Sequence, residues 1–70
     1  MIRHWIASDI ITNVGYDKDK LILEVELKNK EVHGYFNLSN EIYREFMDSD
    51  KRDEYFKTKI DGKFTSIRSK

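Results

Sequence analysis

Apolar and polar residues alternate along the middle of the chain, first over residues 21–28 and again over residues 32–38. A period of two indicates half-buried β-strands, because successive side chains of a strand point to opposite faces of the sheet. The pair Asn29 and Lys30 between the two stretches is typical of a tight turn. The pattern therefore predicts an antiparallel β-hairpin.

The register of this hairpin decides which side chains face the core. A two-residue turn places His33 and Tyr35 on the outer face, whereas a three-residue loop with a bulge shifts the pairing by one residue and points both of them inward. We favour the first register because it buries the better core residues of the second strand. Those residues are Val32, Phe36 and Leu38.

The residues before the hairpin extend the predicted sheet. Residues 8–16 have the β-branched and aromatic content of a strand. One side of that strand is expected to carry Ile10, Thr12, Val14 and Tyr16. Trp5 and Ile6 are expected to pack on the sheet edge or to form a short extra strand.

The residues after the hairpin have the apolar spacing of helices. Ser39 is predicted to cap a first helix that runs to about Asp48. Ser49 or Asp50 is predicted to cap a second helix that ends at Gly62. The apolar positions of the two helices are Ile42, Tyr43, Phe46 and Met47, then Tyr55, Phe56 and Ile60.

Phe64 and Ile67 belong to a closing segment. The predicted fold is of the α+β class, an antiparallel β-meander of three to four strands followed by a helical hairpin that packs on one sheet face.

A chain of 70 residues has room for a single domain, which is expected to span residues 1–70. Such a domain buries only about 60% of the surface that its unfolded chain exposes, so the core is thin.

Composition and charge narrow the function classes. The chain has no cysteine, which favours a reducing, cytoplasmic compartment and removes thiolate metal sites. No apolar run reaches the roughly 18 residues of a membrane span. Thirteen basic and thirteen acidic residues cancel, but residues 1–50 carry a net charge of −4 and residues 51–70 a net charge of +4. The basic C-terminal end could favour a polyanion.

Five short motifs follow one another along the chain. They are Ser-Asp-Ile at 8–10, Val-Gly-Tyr-Asp at 14–17, His-x-Tyr at 33–35, Leu-x-x-x-Ile-Tyr at 38–43 and Tyr-Phe-x-x-x-Ile-x-x-x-Phe at 55–64. Together they resemble the KTSC domain, a family named from its occurrence at the C-terminus of some lysyl-tRNA synthetases. The resemblance implies the fold outlined above and, through the association with a synthetase, an RNA-related role.

The chain departs from the KTSC pattern at three positions. His33 stands where the family has the first tyrosine of a Tyr-x-Tyr pair, Lys30 where it has a turn glycine, and Ser39 where it has a proline. His33 can still stack or donate a hydrogen bond, and Ser39 is a competent helix cap. A left-handed turn position at Lys30 would cost about 1 kcal/mol.

His33 and Tyr35 are the leading candidate binding residues. In the favoured register they form an exposed platform with Ile22, of the kind on which single-stranded bases stack. Glu24 and Glu26 lie beside this platform and would repel phosphate. Phosphate contacts are expected from the basic residues Lys57, Lys59, Lys63 and Arg68.

Catalytic motifs are absent from the sequence. His4 and His33 are the only histidines, and neither has a second ligand at the spacing of a metal site. We therefore expect no enzyme activity, metal or cofactor.

Two functions are considered. The first hypothesis is a small non-enzymatic module that binds nucleic acid, with single-stranded RNA as the leading candidate. The alternative is a protein-interaction or structural accessory domain, including a homodimer, that acts through a sheet edge near Trp5 and Tyr16 or through the open sheet face.

Overall fold

The computed structural model of the protein describes residues 2–69. Within these residues it contains five β-strands, two α-helices and one π-helical segment. The strands are β1 (Arg3–Trp5), β2 (Ile11–Asp17), β3 (Ile22–Leu27), β4 (Val32–Tyr35) and β5 (Ser66–Arg68), and the helices are α1 (Asn40–Asp48) and α2 (Arg52–Tyr55), the latter continued by the π-helical segment Phe56–Ile60.

The strands form one antiparallel sheet in the order β1-β2-β3-β4-β5, with each strand beside its neighbours in the chain. The helical layer covers one face of this sheet, where Phe46 of α1 and Phe56 and Ile60 of the π-helical segment join the buried side chains of β2, β3 and β4 in a single core. The predicted α+β fold is confirmed. The closing segment adds the fifth strand and the residues before β2 add the first, so the meander is longer than the three to four strands that we expected.

The β3–β4 hairpin adopts the register that we did not favour. The amide of Leu27 donates to the carbonyl of Glu31 at 2.8 Å, which closes a three-residue loop over residues 28–30. Lys30 has a φ of 74°, the left-handed residue that such a loop requires. The left-handed turn position expected at Lys30 is therefore present, and the pairing slips by one residue relative to a two-residue turn.

The start of β2 also differs from the prediction. Ser8 lies in a turn, where its hydroxyl oxygen accepts hydrogen bonds from the amides of Ile10 and Ile11. The pairing of β2 with β3 is irregular between Ile11 and Asn13, and a bulge of this kind reverses which residues face the core. Ile11 is therefore fully buried with Val14, while Ile10 is partly buried against the same core. The regular alternation predicted for Ile10, Thr12, Val14 and Tyr16 is interrupted at the bulge.

The core lies between the sheet and the helices. Its fully buried side chains are Ile11, Val14, Leu23, Val25, Leu38, Phe46 and Ile60. Tyr16 of β2 stacks on Tyr43 of α1 with ring centroids 4.4 Å apart, and the Tyr16 hydroxyl donates to the carbonyl of Leu38 at 2.6 Å. Tyr16 is thus half-buried on the helix-covered side. Because β2 pairs with a strand on each side, the expected position of Tyr16 at a sheet edge is wrong.

The helical layer follows the predicted caps only in part. The Ser39 hydroxyl accepts from the amide of Ile42 at 3.3 Å, as expected for the cap of α1. Lys51, rather than Ser49 or Asp50, is the residue before α2. The π-helical segment ends at a hydrogen bond from the Asp61 amide to the Phe56 carbonyl at 2.7 Å. Within residues 2–69, no helix is long and apolar enough to cross a membrane.

Candidate interaction surface

Tyr35 lies in the core. Its residue surface is 2% exposed, and its ring meets Phe56 edge to face with centroids 5.7 Å apart. Burial, with Asp61 close to the hydroxyl, raises the pKa of Tyr35 to about 12. A side chain in this position cannot offer a ring face to a base, so the predicted platform of His33, Tyr35 and Ile22 is wrong. The cause is the one-residue shift of the hairpin register.

His33 points to the same side of the sheet as Tyr35, but its side chain is 24% exposed. Its Nε2 atom is 3.0 Å from Oε1 of Glu31, and Arg68 on β5 donates to the other oxygen of that carboxylate at 3.2 Å. The hydrogen bond with His33, helped by the charge of Arg68, holds the pKa of the Glu31 carboxyl below its ordinary value. These contacts tie the end of β5 to the hairpin.

The four basic candidates do not form one surface. Lys57 lines a groove of about 380 Å³ beside Leu27 and Phe56. Lys59 lines a separate depression of about 180 Å³, because side chains two residues apart on a helix point in different directions. Lys63 is exposed in the turn after the π-helical segment, and Arg68 pairs with Glu31 as described above. The structure spreads these charges over the helical layer and the last strand.

The sheet face opposite the helices carries two rows of side chains. The register aligns the first row across four strands, as Trp5, Asn13, Glu26 and Val32. The second row crosses all five strands, as Arg3, Gly15, Glu24, Gly34 and Ile67. We call these two rows, together with Ile22, the open face.

Large apolar side chains of the open face are exposed at its two ends. Trp5 on β1 is 75% exposed and Ile67 on β5 is 60% exposed. Four strand spacings separate them, a distance of about 19 Å. The open face therefore presents an exposed apolar group at each edge of the sheet. Between them lie the polar residues Asn13, Glu24 and Glu26, two glycines, Ile22 and the buried Val32.

Charged groups occupy the centre of the open face. Nη1 of Arg3 donates to Oε1 of Glu24 at 2.6 Å, whereas its Nη2 is 4.0 Å from Glu26. Glu26 is held instead by the Asn13 amide, whose Nδ2 donates to it at 3.3 Å. Two carboxylates thus share one guanidinium, and the closer pairing belongs to Glu24.

Asn13 is a buried polar residue on this face. It is 3% exposed, and within the described chain its Oδ1 atom has no donor. An unpartnered buried acceptor costs about 1–3 kcal/mol, so native proteins contain few of them. Asn13 lies in the first row directly between Trp5 and Glu26. The acceptor without a donor therefore lies next to Glu26, the carboxylate that Arg3 approaches only to 4.0 Å.

The sequence carried some signals of this surface. The alternation in β3 places Glu24 and Glu26 opposite the buried Leu23 and Val25, and this was part of the prediction. The positions of Trp5 and Ile67 on the same face were missed, because each belongs to a three-residue edge strand that is too short to show a period. The single tryptophan of the chain was the one available hint.

Comparisons with known proteins agree with the fold. The family model of the KTSC domain matches residues 7–64, and the chain belongs to the KTSC domain family. It is similar to a KTSC domain protein from Yersinia pestis, whose crystal structure superimposes with a TM-score of 0.91 at 25% sequence identity, over 96% of this chain and 94% of that chain. The comparison with curated proteins finds no match. Trp5 and Ile67 lie outside the residues that the family model matches.

Proposed function

We propose that the domain is a non-enzymatic protein-interaction module, acting in the cytoplasm, whose contact surface is the open face. The observation that carries this proposal is the exposure of Trp5 and Ile67 on the sheet face that the helices leave uncovered. Tryptophan and arginine are the residue types that most often dominate binding energy at protein interfaces, and Arg3 lies next to Trp5 on this face.

The dimensions of the open face favour a macromolecular partner. A ligand that touches both apolar ends must span about 19 Å, which is the width of five strands. A small molecule cannot bury both Trp5 and Ile67, whereas a helix or an extended segment of another protein can. The face is preferred over the sheet edges because β1 and β5 have three residues each, and short edge strands offer few backbone groups for strand addition.

Nucleic-acid binding is the weaker proposal. Tyr35, one of the two residues predicted to stack on bases, is buried in the core. Glu24 and Glu26 on the open face repel phosphate. The basic residues Lys57, Lys59 and Lys63 remain accessible on the helical side. A titration with single-stranded RNA at low salt tests this role, and backbone amide shifts confined to these lysines would favour nucleic acid over a protein partner.

The main proposal is tested by site-specific photo-cross-linking in the cells from which the protein comes. A photoreactive residue at position 5 samples the open face, and the same residue in place of Lys59 samples the helical side. We expect a discrete product from position 5 that disappears when Ile67→Lys is added and that is absent from position 59. The purified partner should then bind the unmodified domain and lose affinity for Ile67→Lys.

The opposite outcomes contradict the proposal. Equal products from both positions would indicate random encounters, and a product from position 59 alone would move the interface to the helical side. Circular dichroism of each variant shows whether the fold is intact. Because Lys59 and Ile67 are both exposed, their substitution is expected to leave folding unchanged.

A further inference from the structure

We infer that the partner presents a cationic side chain, arginine by preference, to the first row of the open face, between Trp5 and Glu26. The inference rests on the proposed function, since it names the chemistry of the partner that the open face receives. It depends on three observations in one row of the sheet: an exposed indole, an incompletely paired carboxylate and an acceptor without a donor.

The indole supplies one wall of this site. Trp5 lies on β1 and Glu26 on β3, two strand spacings or about 10 Å apart. A partner side chain placed over β2 is therefore about one strand spacing, ~5 Å, from the strand that carries each of them. From there a guanidinium can approach the face of the tryptophan ring, to which it is attracted. Because Trp5 is 75% exposed, its ring is free to meet a partner side chain.

The carboxylate supplies the opposite wall. Arg3 gives its short contact of 2.6 Å to Glu24 and approaches Glu26 only to 4.0 Å. The remaining donor to Glu26 is the neutral amide of Asn13 at 3.3 Å. A carboxylate binds a guanidinium more strongly than it binds an amide, since the charge assists the hydrogen bond. Glu26 is therefore the carboxylate that gains most from a second cation.

Asn13, whose Oδ1 atom is enclosed, forms the base of the same site. Its Oδ1 atom has no donor among the described residues, although the residue is 97% buried. The indole face, the carboxylate and the amide oxygen are electron-rich, and Arg3 approaches this carboxylate only to 4.0 Å. A guanidinium matches this set because it carries five donors and no acceptor.

A second copy of the chain fits this face less well than a basic segment does. Each copy brings Glu24 and Glu26 with only Arg3 to balance them among the open-face side chains, so two such faces together hold an excess of carboxylates. Exposed carboxylates that are brought together repel one another, and the repulsion grows as water is excluded. A partner with surplus positive charge removes that repulsion.

The test uses the fluorescence of Trp5, the only tryptophan of the chain, so that the signal comes from the proposed site. The probe is an acetylated and amidated peptide in which arginine and leucine alternate. The matched control peptide has glutamate in place of each arginine. We expect the arginine peptide to shift the Trp5 emission to shorter wavelength, with an affinity that falls as salt is added, and the glutamate peptide to leave the emission unchanged.

Two variants locate the binding. Glu26→Gln keeps the size of the side chain and one acceptor oxygen but removes the charge. It should lower the affinity for the arginine peptide by about fivefold. Glu41→Gln removes the same charge from an exposed position on α1 and should leave the affinity within about twofold. The comparison separates a local contact with Glu26 from the general effect of one lost negative charge.

Each contrary result has its own meaning. Equal responses to the two peptides would overturn the cationic partner while leaving the open face as a peptide-binding surface, so the proposed function would survive. Equal losses in Glu26→Gln and Glu41→Gln would overturn the site between Trp5 and Glu26. A Trp5 emission that shifts with protein concentration alone would point to a second copy. If neither peptide changes the emission, the inference is wrong, and the cross-linking at position 5 decides the proposed function independently.

Discussion

The two faces of the sheet are built from alternate residues of the same strands, yet they differ in almost every property. On the helix-covered face, Leu23 and Val25 have no exposed surface and pack against Phe46. On the open face, Trp5 and Ile67 are mostly exposed and the centre is charged. The helix-covered face thus supplies the buried core that stabilises the fold. The large apolar side chains of the open face stay exposed and add little to that stability. Such groups are where function is best sought.

The largest expected effect comes from removing a side chain of the helix-covered face. Phe46→Ala deletes a fully buried ring and should lower the free energy of unfolding by about 3–5 kcal/mol, since it combines lost burial with a cavity. Trp5→Ala deletes a larger ring from the open face and should cost less than about 1 kcal/mol. Urea unfolding followed by circular dichroism measures both.

A protein of this size can unfold completely after the loss of Phe46, because its total stability is of the same order as the expected effect. Phe46→Leu then provides a smaller change that remains measurable. Comparable losses in Phe46→Ala and Trp5→Ala would contradict the division of the sheet into a folding face and a free face.

The second prediction concerns high pH. The pKa of Tyr35 is raised to about 12, chiefly by burial, whereas a tyrosine in the unfolded chain titrates near pH 10. The folded state therefore keeps a proton that the unfolded state loses. The resulting stabilisation is complete below about pH 10 and is lost as the pH rises through about 12, with an upper limit of about 2.7 kcal/mol.

Tyr35→Phe tests this because it removes the ionising hydroxyl and keeps the ring. The free energy of unfolding of the variant should fall less steeply between about pH 10 and pH 12 than that of the original protein. The pKa of Tyr55 is also raised to about 12, by burial and by Glu45. Because both proteins contain Tyr55, its contribution to the pH dependence cancels in the comparison. Parallel pH profiles would show that the Tyr35 hydroxyl is not buried.

The third prediction concerns the loop that assigns residues to the two faces. Lys30 has a φ of 74°, so Lys30→Gly should relieve backbone strain and raise the free energy of unfolding by about 0.5–1 kcal/mol, after the extra flexibility of glycine in the unfolded chain is counted. Lys28→Gly in the same loop is the control and should be neutral or destabilising, since Lys28 does not have a positive φ. Equal effects of the two substitutions would contradict the bulged loop.

The smallest expected effect is that of the ion pair on the open face. The side chains of Arg3 and Glu24 are 31% and 38% exposed, and exposed pairs contribute about 0.2–1 kcal/mol to folding. A double-mutant cycle with Arg3→Met and Glu24→Gln measures their coupling free energy. A coupling above about 2 kcal/mol would mean that this pair belongs to the folding of the domain and not to its free surface.

The sequence was a good guide wherever local spacing decides the structure. The alternation over 21–28 gave β3, and Ser39 marked the start of α1 as its cap. It failed at the π-helical segment, where the Asp61 amide bonds to Phe56 five residues earlier. An apolar spacing of four residues, as between Phe56 and Ile60, looks the same in an α-helix, so the pattern cannot distinguish the two.

The candidate site was harder to predict than the fold. The residues of β3 that face outward, Glu24 and Glu26, could be assigned from the alternation. The exposed apolar side chains that share the open face with them come from β1 and β5. These strands join the sheet through pairings such as Trp5 with Asn13 and Ile67 with Gly34. A strand of three residues is too short to show a period, and the pairing of β5 with β4 also joins residues that are far apart in the chain.

The sequence by itself determined the kinds of elements, their order and the α+β class, because strand and helix periods are properties of neighbouring residues. Only the tertiary structure decided which face each side chain occupies. A single left-handed residue, Lys30, lengthens the hairpin loop by one position and thereby moves Tyr35 from the surface into the core. Since the side-chain period of a strand is two, a shift of one residue reverses both faces, and with them the surface that is left for function.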